Sequence, residues 1–284
     1  MQQQSGPALT AELVHAAPAS RWRPAPVIAG SMALHCAAVA GVAIEPEAWP
    51  WAFVVIALNH VFLGAMGLWP RSSMLGPNLT RLPDTAAARG EIALTFDDGP
   101  DPEVTPRVLD LLEARGARAT FFCIAENALR HPELCREIAR RGHAVENHSR
   151  GHRATFPMLG MGGIRREISA AQAALGELAG RPPRFFRPPA GLRNPLLDPV
   201  LHDLGLRLVT WTRRGFDTRN GDAELVASCL TAGLAAGDIL LLHDGHSART
   251  HAGVPVVLEV LPRVLDSAQS LGVRPVTLPQ AIDP

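Results

Sequence analysis

Residues 91–123 read EIALTFDDGPDPEVTPRVLDLLEARGARATFFC, and this stretch decides the fold. A short apolar run (92–96) is followed by an amphipathic stretch (106–114) and a second apolar run (119–123), which is the order strand, helix, strand. The same alternation continues to the C-terminus. Strands are expected at 92–96, 119–123, 144–147, 185–187, 206–211, 239–243 and 273–276. Helices are expected between them, as at 106–114, 164–179, 223–235 and 255–271. Seven such rounds predict an α/β protein with a parallel sheet and helical crossovers. Periodicity alone leaves open whether the sheet is open or closed into a barrel. No internal repeat is visible.

Upstream of residue 91 the composition changes. Residues 1–24 are polar and rich in Gln, Ala and Pro, and read as a disordered tail. Residues 27–44 and 49–69 carry no charge. A bilayer core of ~30 Å needs about 20 apolar residues in a helix. The second run meets that length and the first comes close to it. Trp49, Trp51 and Trp69 bracket the second run as an interfacial aromatic belt would. With Glu45-Pro46-Glu47 as a polar turn, residues 25–70 are expected to form a membrane anchor of two transmembrane helices. A signal peptide and two buried globular helices are the alternatives. Asn59 and His60 fall inside the second run, and a neutral His60 bonded to the neighbouring helix is expected. Arg21 and Arg23 precede the hairpin and Arg71 follows it, so the positive-inside rule places both ends, and the C-terminal domain, in the cytoplasm. The expected location is therefore the inner membrane of a bacterial-type cell. Residues 71–90, broken by Gly76, Pro77 and Pro83, read as a linker to a catalytic domain over 91–284.

The 284 residues carry 27 basic and 27 acidic side chains, a balance that speaks against nucleic acid as a partner. Cys36, Cys123, Cys135 and Cys229 form no CxxC pair and suggest neither a structural zinc site nor a disulfide framework. Such scattered thiols suit a reducing compartment.

Polar residues gather just past the predicted strands, where parallel sheets and barrels build active sites. Asp97-Asp98-Gly99-Pro100 closes the first strand. One carboxylate there can bind a metal while the other accepts a proton; taken alone, the segment also reads as a solvated turn. His148-Ser149-Arg150-Gly151-His152 follows the third strand. Histidines at i and i+4 face the same way on a helical turn and can grip one metal. With one carboxylate they make a His-His-Asp site with open positions. Arg187-Pro188-Pro189-Ala190-Gly191 follows the fourth strand. Arg187 can pair with a carboxylate, and the backbone N–H groups of Ala190 and Gly191 can meet an oxyanion. Asp217, past the fifth strand, can orient a histidine. His243, where the apolar run Leu240–Leu242 meets the cavity, suits a general acid. His246 and His251 read as surface-loop histidines, with extra metal ligation as the alternative.

These clusters, in this order, resemble the polysaccharide deacetylase family, the NodB-homology domain of carbohydrate esterase family 4. TFDDGP and HSxxH match the family's first two motifs in full, RPPAG the third and LLH the fifth. The resemblance covers roughly residues 91–277. It implies a distorted (β/α) barrel and an N-deacetylase that hydrolyses the amide of an N-acetylated amino sugar to acetate and a free amine. It also implies one divalent metal, zinc first, with cobalt, nickel or manganese as alternatives, held by Asp98, His148 and His152. Asp97 would be the general base, held by Arg187. His243 would be the general acid, held by Asp217, and Leu241 would line the pocket for the acetyl methyl. Two positions depart from the pattern: Thr218 follows Asp217 where an aromatic is common, and Ala190 stands where the third motif often has Tyr. Both bear on the substrate rather than the reaction. The expected partners are an N-acetylated carbohydrate or lipid-linked sugar, and the membrane. A non-catalytic carbohydrate-binding member, a deformylase or deacylase of a lipid-linked sugar, and a two-metal phosphoesterase are the rival readings.

Overall fold

The structure is a computed structural model that describes residues 21–283; of the expected tail, residues 1–20 lie outside these. Two long helices come first, α1 (Pro26–Ile44) and α2 (Trp49–Leu68), joined by a tight turn at Pro46–Ala48. They match the two charge-free runs. Trp49, Trp51, Phe53, Leu58 and Val61 are exposed on α2. Among the described residues these two helices are long and apolar enough to cross a membrane. The helices pack on each other through polar contacts as well as apolar ones. Asn59 Nδ2 donates to Ser31 Oγ at 2.8 Å across the pair. His60 does not make the expected bond to the neighbouring helix. Its Nδ1 lies 2.9 Å from Ile56 O, one turn back on its own helix, and its ring meets His35 of α1 edge-on at 5.2 Å. The shorter Asn59 side chain takes the interhelical bond instead.

Residues 71–90, expected as a linker, pack onto the sheet. They contain one short helix, α3 (Asp84–Ala88). Leu75, Leu82 and Ala86 are buried. Leu79 pairs with Val209, the Leu82 N–H donates to Gly237 O at 2.8 Å, and Arg81 Nη1 pairs with buried Asp238 at 2.7 Å. The prolines and Gly76 do break regular structure here. The apolar residues between them still find a core.

The barrel region begins at β1 (Glu91–Asp97) and α4 (Thr105–Ala114). β2 (Thr120–Cys123), α5 (Ala125–Arg130), α6 (Pro132–Arg140) and β3 (Ala144–Asn147) follow. Next come α7 (Met161–Ala179), β4 (Phe185–Phe186), α8 (Leu197–Asp203) and β5 (Arg207–Leu208). The last third holds β6 (Arg213–Arg214), α9 (Ala223–Thr231), β7 (Ile239–His243), α10 (Val256–Ser270), β8 (Arg274–Val276) and α11 (Leu278–Ile282). Helix ends follow local chemistry. Asp222 caps α9 by accepting from the N–H groups of Glu224 and Leu225, and Gly180 closes α7 in the left-handed region.

All strand pairs are parallel, in the order β5-β4-β3-β2-β1-β7-β6, with β8 also on β1. The sheet curls into a half barrel. Residues 79–82 run between its two edges, β5 and β6: Leu79 pairs with Val209 just after β5, and Thr212, just before β6, donates its hydroxyl to Thr80 O at 2.8 Å. The strand beyond the seven expected, β6, lies in a segment read from sequence as loop. It is only two residues long, too short for an alternation to register.

Strand parity separates two cores. Ile92, Leu94, Phe96, Leu240 and Leu242 face the outer helices and pack with α4, α9 and α10. Ala93, Phe122, Phe185, Ile239 and Leu241 face inward. The same parity turns Asp97 and His243 inward at the C-terminal ends of β1 and β7, where the two residues are register partners.

Candidate metal centre and active site

The site forms where those inward positions run out of strand. Asp97 ends β1. Asp98 follows with φ +73°, and this left-handed step swings its carboxylate into the same hollow. His148 comes directly after β3. Ser149 (φ +65°) and His152 (φ +48°) then fold the loop back, so that the two imidazoles lie 4.9 Å apart. The expected helical turn is absent: residues 148–152 form a loop, and left-handed backbone brings the rings together. Six non-glycine residues have positive φ among the described residues, namely Asp98, Ser149, His152, Ala190, Phe216 and His246. All six lie in loops at this end of the sheet. Each such conformation costs on the order of 1 kcal/mol or more, and such residues cluster where a site requires them.

His148 Nε2 lies 3.3 Å and His152 Nε2 3.2 Å from Asp98 Oδ1. The three ligand atoms lie within 4.8 Å of one another. Asp98 Oδ1 is buried and has no hydrogen-bond partner. A buried carboxylate oxygen left unpaired is costly, so its place in the fold asks for a cation. Ligand bonds of about 2.1 Å to a tetrahedral ion put donor atoms about 3.4 Å apart. The donor set therefore fits one divalent metal. His148 Nδ1 lies 2.7 Å from Arg187 O. A carbonyl only accepts, so this nitrogen carries the proton, and Nε2 is the atom left to ligate a metal. Burial opposes the charge on Asp98, but His148, His246 and His152 outweigh it and hold its carboxyl well below the usual range. Burial likewise disfavours a charged His148, yet Asp97 and Asp98 prevail and raise its pKa. At His152 burial and the neighbouring His148 win, and its pKa falls.

Asp97 is held separately. Arg187 is fully buried and its Nη1 donates to Asp97 Oδ1 at 2.7 Å and to Thr95 Oγ1 at 2.9 Å. Its Nη2 and Nε donate to the carbonyls of Thr210 and Val209, and its guanidinium lies 4.1 Å from the Phe122 ring centre. A buried guanidinium needs such a full set of acceptors, since an unpaired one would cost several kcal/mol. The backbone N–H groups of Asp244 and Gly245 both donate to Asp97 O, tying β1 to the turn after β7. His243 meets Asp217 twice: Nδ1 lies 2.8 Å from Oδ1, and the backbone N–H donates to Oδ2 at 2.7 Å. Burial works against a charged His243, but Asp217, with Asp97 and Asp98 behind it, raises its pKa.

Asp97, Asp98, His148, His152, Ala190, Gly191, Leu241 and His243 line one cavity of about 260 Å³, while Arg187 and Asp217 stand behind it. The two backbone donors expected at 190 and 191 differ. The Gly191 N–H donates to Pro188 O at 2.9 Å, which leaves the Ala190 N–H for a ligand. Gly191 serves close packing instead: a Cβ there would stand 2.6 Å from Trp211 and 2.8 Å from Pro70. His246 reaches the rim, with Nδ1 3.4 Å from Asp98 Oδ2 and an exposed ring, whereas His251 lies exposed in a turn away from the cavity. Several lining or supporting residues were given no role in the sequence reading. Thr95 bridges Arg187 to Leu240 O, Asn127 Nδ2 donates to Asp98 O, and Trp211, Arg214 and Arg219 form one wall with Thr218. Thr95 carried a signal, since it shares the inward parity of Asp97. The two arginines carried none, because an arginine in a loop is ordinarily solvated.

A curled parallel sheet with an Asp-His-His cluster, a salt-bridged aspartate and an Asp-held histidine defines a metal-dependent hydrolase built on a (β/α) barrel. The polysaccharide deacetylase family profile matches residues 84–209. The chain is 32% identical over 193 residues to a peptidoglycan-N-acetylglucosamine deacetylase of Bacillus cereus, covering 67% of this chain and 68% of that one. It is 36% identical over 161 residues to a chitooligosaccharide deacetylase of Azorhizobium caulinodans, covering 55% and 75%. The crystal structure of the Bc1960 peptidoglycan N-acetylglucosamine deacetylase superposes with a TM-score of 0.65 at 28% identity, over 72% of this chain and 92% of that chain. The chain belongs to the polysaccharide deacetylase family, hydrolases of carbohydrate esterase family 4 that cut a carbon–nitrogen bond.

Proposed function

We propose that this protein removes the acetyl group from an N-acetylated amino sugar carried on a lipid, working from a two-helix anchor at the cytoplasmic face of the membrane. The observation that carries the reaction is the convergence of Asp97, the Asp98-His148-His152 cluster and His243 on one cavity. Asp98, His148 and His152 would hold a zinc ion, which when bound polarises the amide carbonyl and lowers the pKa of a water molecule to about 7. Asp97 accepts the proton of the attacking water, and Arg187 keeps that carboxylate oriented. The Ala190 N–H points its dipole at the oxygen on which negative charge grows; one such donor is typically worth ~3 kcal/mol. An amine does not leave as an anion, so His243 delivers a proton to the nitrogen as the carbon–nitrogen bond breaks. Asp217 keeps His243 protonated until then. Leu241 receives the acetyl methyl. Water and amide become acetate and free amine.

The anchor supports the lipid-linked part. Trp22 Nε1 donates to Asp198 Oδ2 at 2.8 Å, and the Arg193 N–H donates to Gly67 O at 3.1 Å. Residues before α1 and the end of α2 thus both rest on the barrel, as a hairpin requires. Pro70 then packs on Gly191, two residues from Pro189 in the loop that carries Ala190. The cavity therefore opens beside the end of α2. Arg21, Arg23 and Arg71 flank the hairpin while its turn carries Glu45 and Glu47, which favours cytoplasmic ends.

Acetate release from N-acetylated sugars is expected from the purified full chain, to stop on chelation and to return with added zinc. Turnover unaffected by a chelator would remove the metal from the scheme. A reporter fused at the C-terminus is expected to behave as cytoplasmic. A reporter active only outside the membrane would reverse the orientation and favour an exported glycan.

A further inference from the structure

Every acid at the cavity has a partner within the protein. Asp97 is taken by Arg187, Asp98 faces His148 and His152, and Asp217 is taken by His243. Arg213, next along the chain, is taken by Asp238. Arg214 and Arg219 line the same cavity, and among the described residues neither makes a salt bridge. Arg214 is half-buried, and its Nε is shielded from solvent with no hydrogen-bond partner. Its guanidinium lies over two rings, 5.3 Å from the centre of Trp211 and 4.9 Å from that of Phe216. The cation is thus fixed in place, with donors left for something the protein does not supply. Arg71, three residues past the end of α2, donates to Thr212 O at 3.2 Å and extends the basic side toward the hairpin. A neutral N-acetyl sugar needs no such pair. Two guanidinium groups on one wall match the charge and the several acceptor oxygens of a phosphate.

We propose that Arg214 and Arg219 form a phosphate-binding subsite beside the acetyl pocket, so that the substrate is an N-acetylated amino sugar bearing a phosphate group. This rests on the deacetylase reading above and adds the substrate's charge. The phosphate has two possible sources, a lipid-phosphate-linked sugar in the bilayer or a soluble nucleotide sugar.

The test is the affinity of the full-length protein in detergent for N-acetylglucosamine 1-phosphate relative to N-acetylglucosamine, by calorimetry. Hydrogen bonds to charged groups are strong enough to give a ratio of about tenfold or more. Arg214→Gln and Arg219→Gln are each expected to bring the ratio toward one. Arg219 is exposed, so its variant keeps the test standing if Arg214→Gln does not fold. Arg263→Gln, exposed on α10, removes the same charge elsewhere and should leave the ratio as it was. A wild-type ratio near one, or a ratio that survives Arg219→Gln, overturns the subsite. So does an equal gain for N-acetylmuramic acid, which carries a carboxylate instead. Acetate release from polyprenyl-phosphate-linked N-acetylglucosamine in vesicles, compared with UDP-N-acetylglucosamine, identifies the source, and release from either sustains the proposal. Release from neither, with N-acetylchitotriose still turned over, overturns it. The binding ratio does not depend on turnover, so failure of the deacetylase reading would show separately.

Discussion

Replacing His148 with alanine is expected to remove the bound metal ion and amide hydrolysis together. The wild type should retain about one ion per chain after dialysis, and His148→Ala close to none, because a catalytic zinc is held by only three protein ligands. Losing the cation removes several kcal/mol of charge stabilisation, so kcat/KM should fall by about 10³-fold or more. His148 is fully buried and meets Arg187 O, so the variant also leaves an unpaired carbonyl, at a cost of about 1–3 kcal/mol in stability. His152→Ala separates the two effects. Its ring is partly exposed, with 27% of the side chain accessible, so the fold should be little disturbed while the metal is still lost. Elemental analysis beside a thermal melt reads both quantities. A folded His152→Ala protein with full metal content would show that the cluster is not the metal centre.

Replacing His243 with alanine should give the opposite pattern: metal retained, turnover lost. General acid catalysis by a positioned side chain contributes roughly 10²- to 10⁴-fold, and kcat should drop within that range. With His243 as the proposed general acid, its protonated form is the active one. Its pKa is raised because Asp217, Asp97 and Asp98 overcome the effect of burial, so activity should persist through neutral pH and decline only as pH rises past the raised value. Asp217→Asn removes the strongest of these charges. The alkaline limb of the kcat profile should therefore move to lower pH, while the metal content stays unchanged. A purely structural Asp217 would lower activity without moving that limb. Normal turnover by His243→Ala would assign the leaving-group proton to another residue.

Much of this architecture was legible because β-strand parity is a local property. Ile92, Leu94 and Phe96 announce the buried outer face of β1, and the alternate positions must then face inward. That places Thr95 and Asp97 on one side before any tertiary contact is known. The apolar run ending in His243 is legible in the same way. The two N-terminal helices are legible because long apolar runs without charge can be read with no tertiary contact. Two elements were misread for physical reasons. The linker hides its burial: the apolar residues of 71–90 are separated by prolines and carry no period, yet Leu82 and Ala86 enter the inner core. The spacing of His148 and His152 suggested a helix, but Ser149 and His152 adopt left-handed backbone that no spacing rule reports.

The sequence by itself determined which residue types stand at the ends of the strands, and that two apolar segments precede them. Both follow from short-range periodicity and composition. Only the tertiary structure decided how those ends meet. Register sets Asp97 opposite His243, positive φ brings Asp98 and His152 to His148, and the curl of the sheet sets Arg187 behind Asp97 and leaves Arg214 and Arg219 beside them without an acid. These are distances between residues far apart in the chain, fixed by packing and hydrogen bonding across the sheet, and no local pattern encodes them.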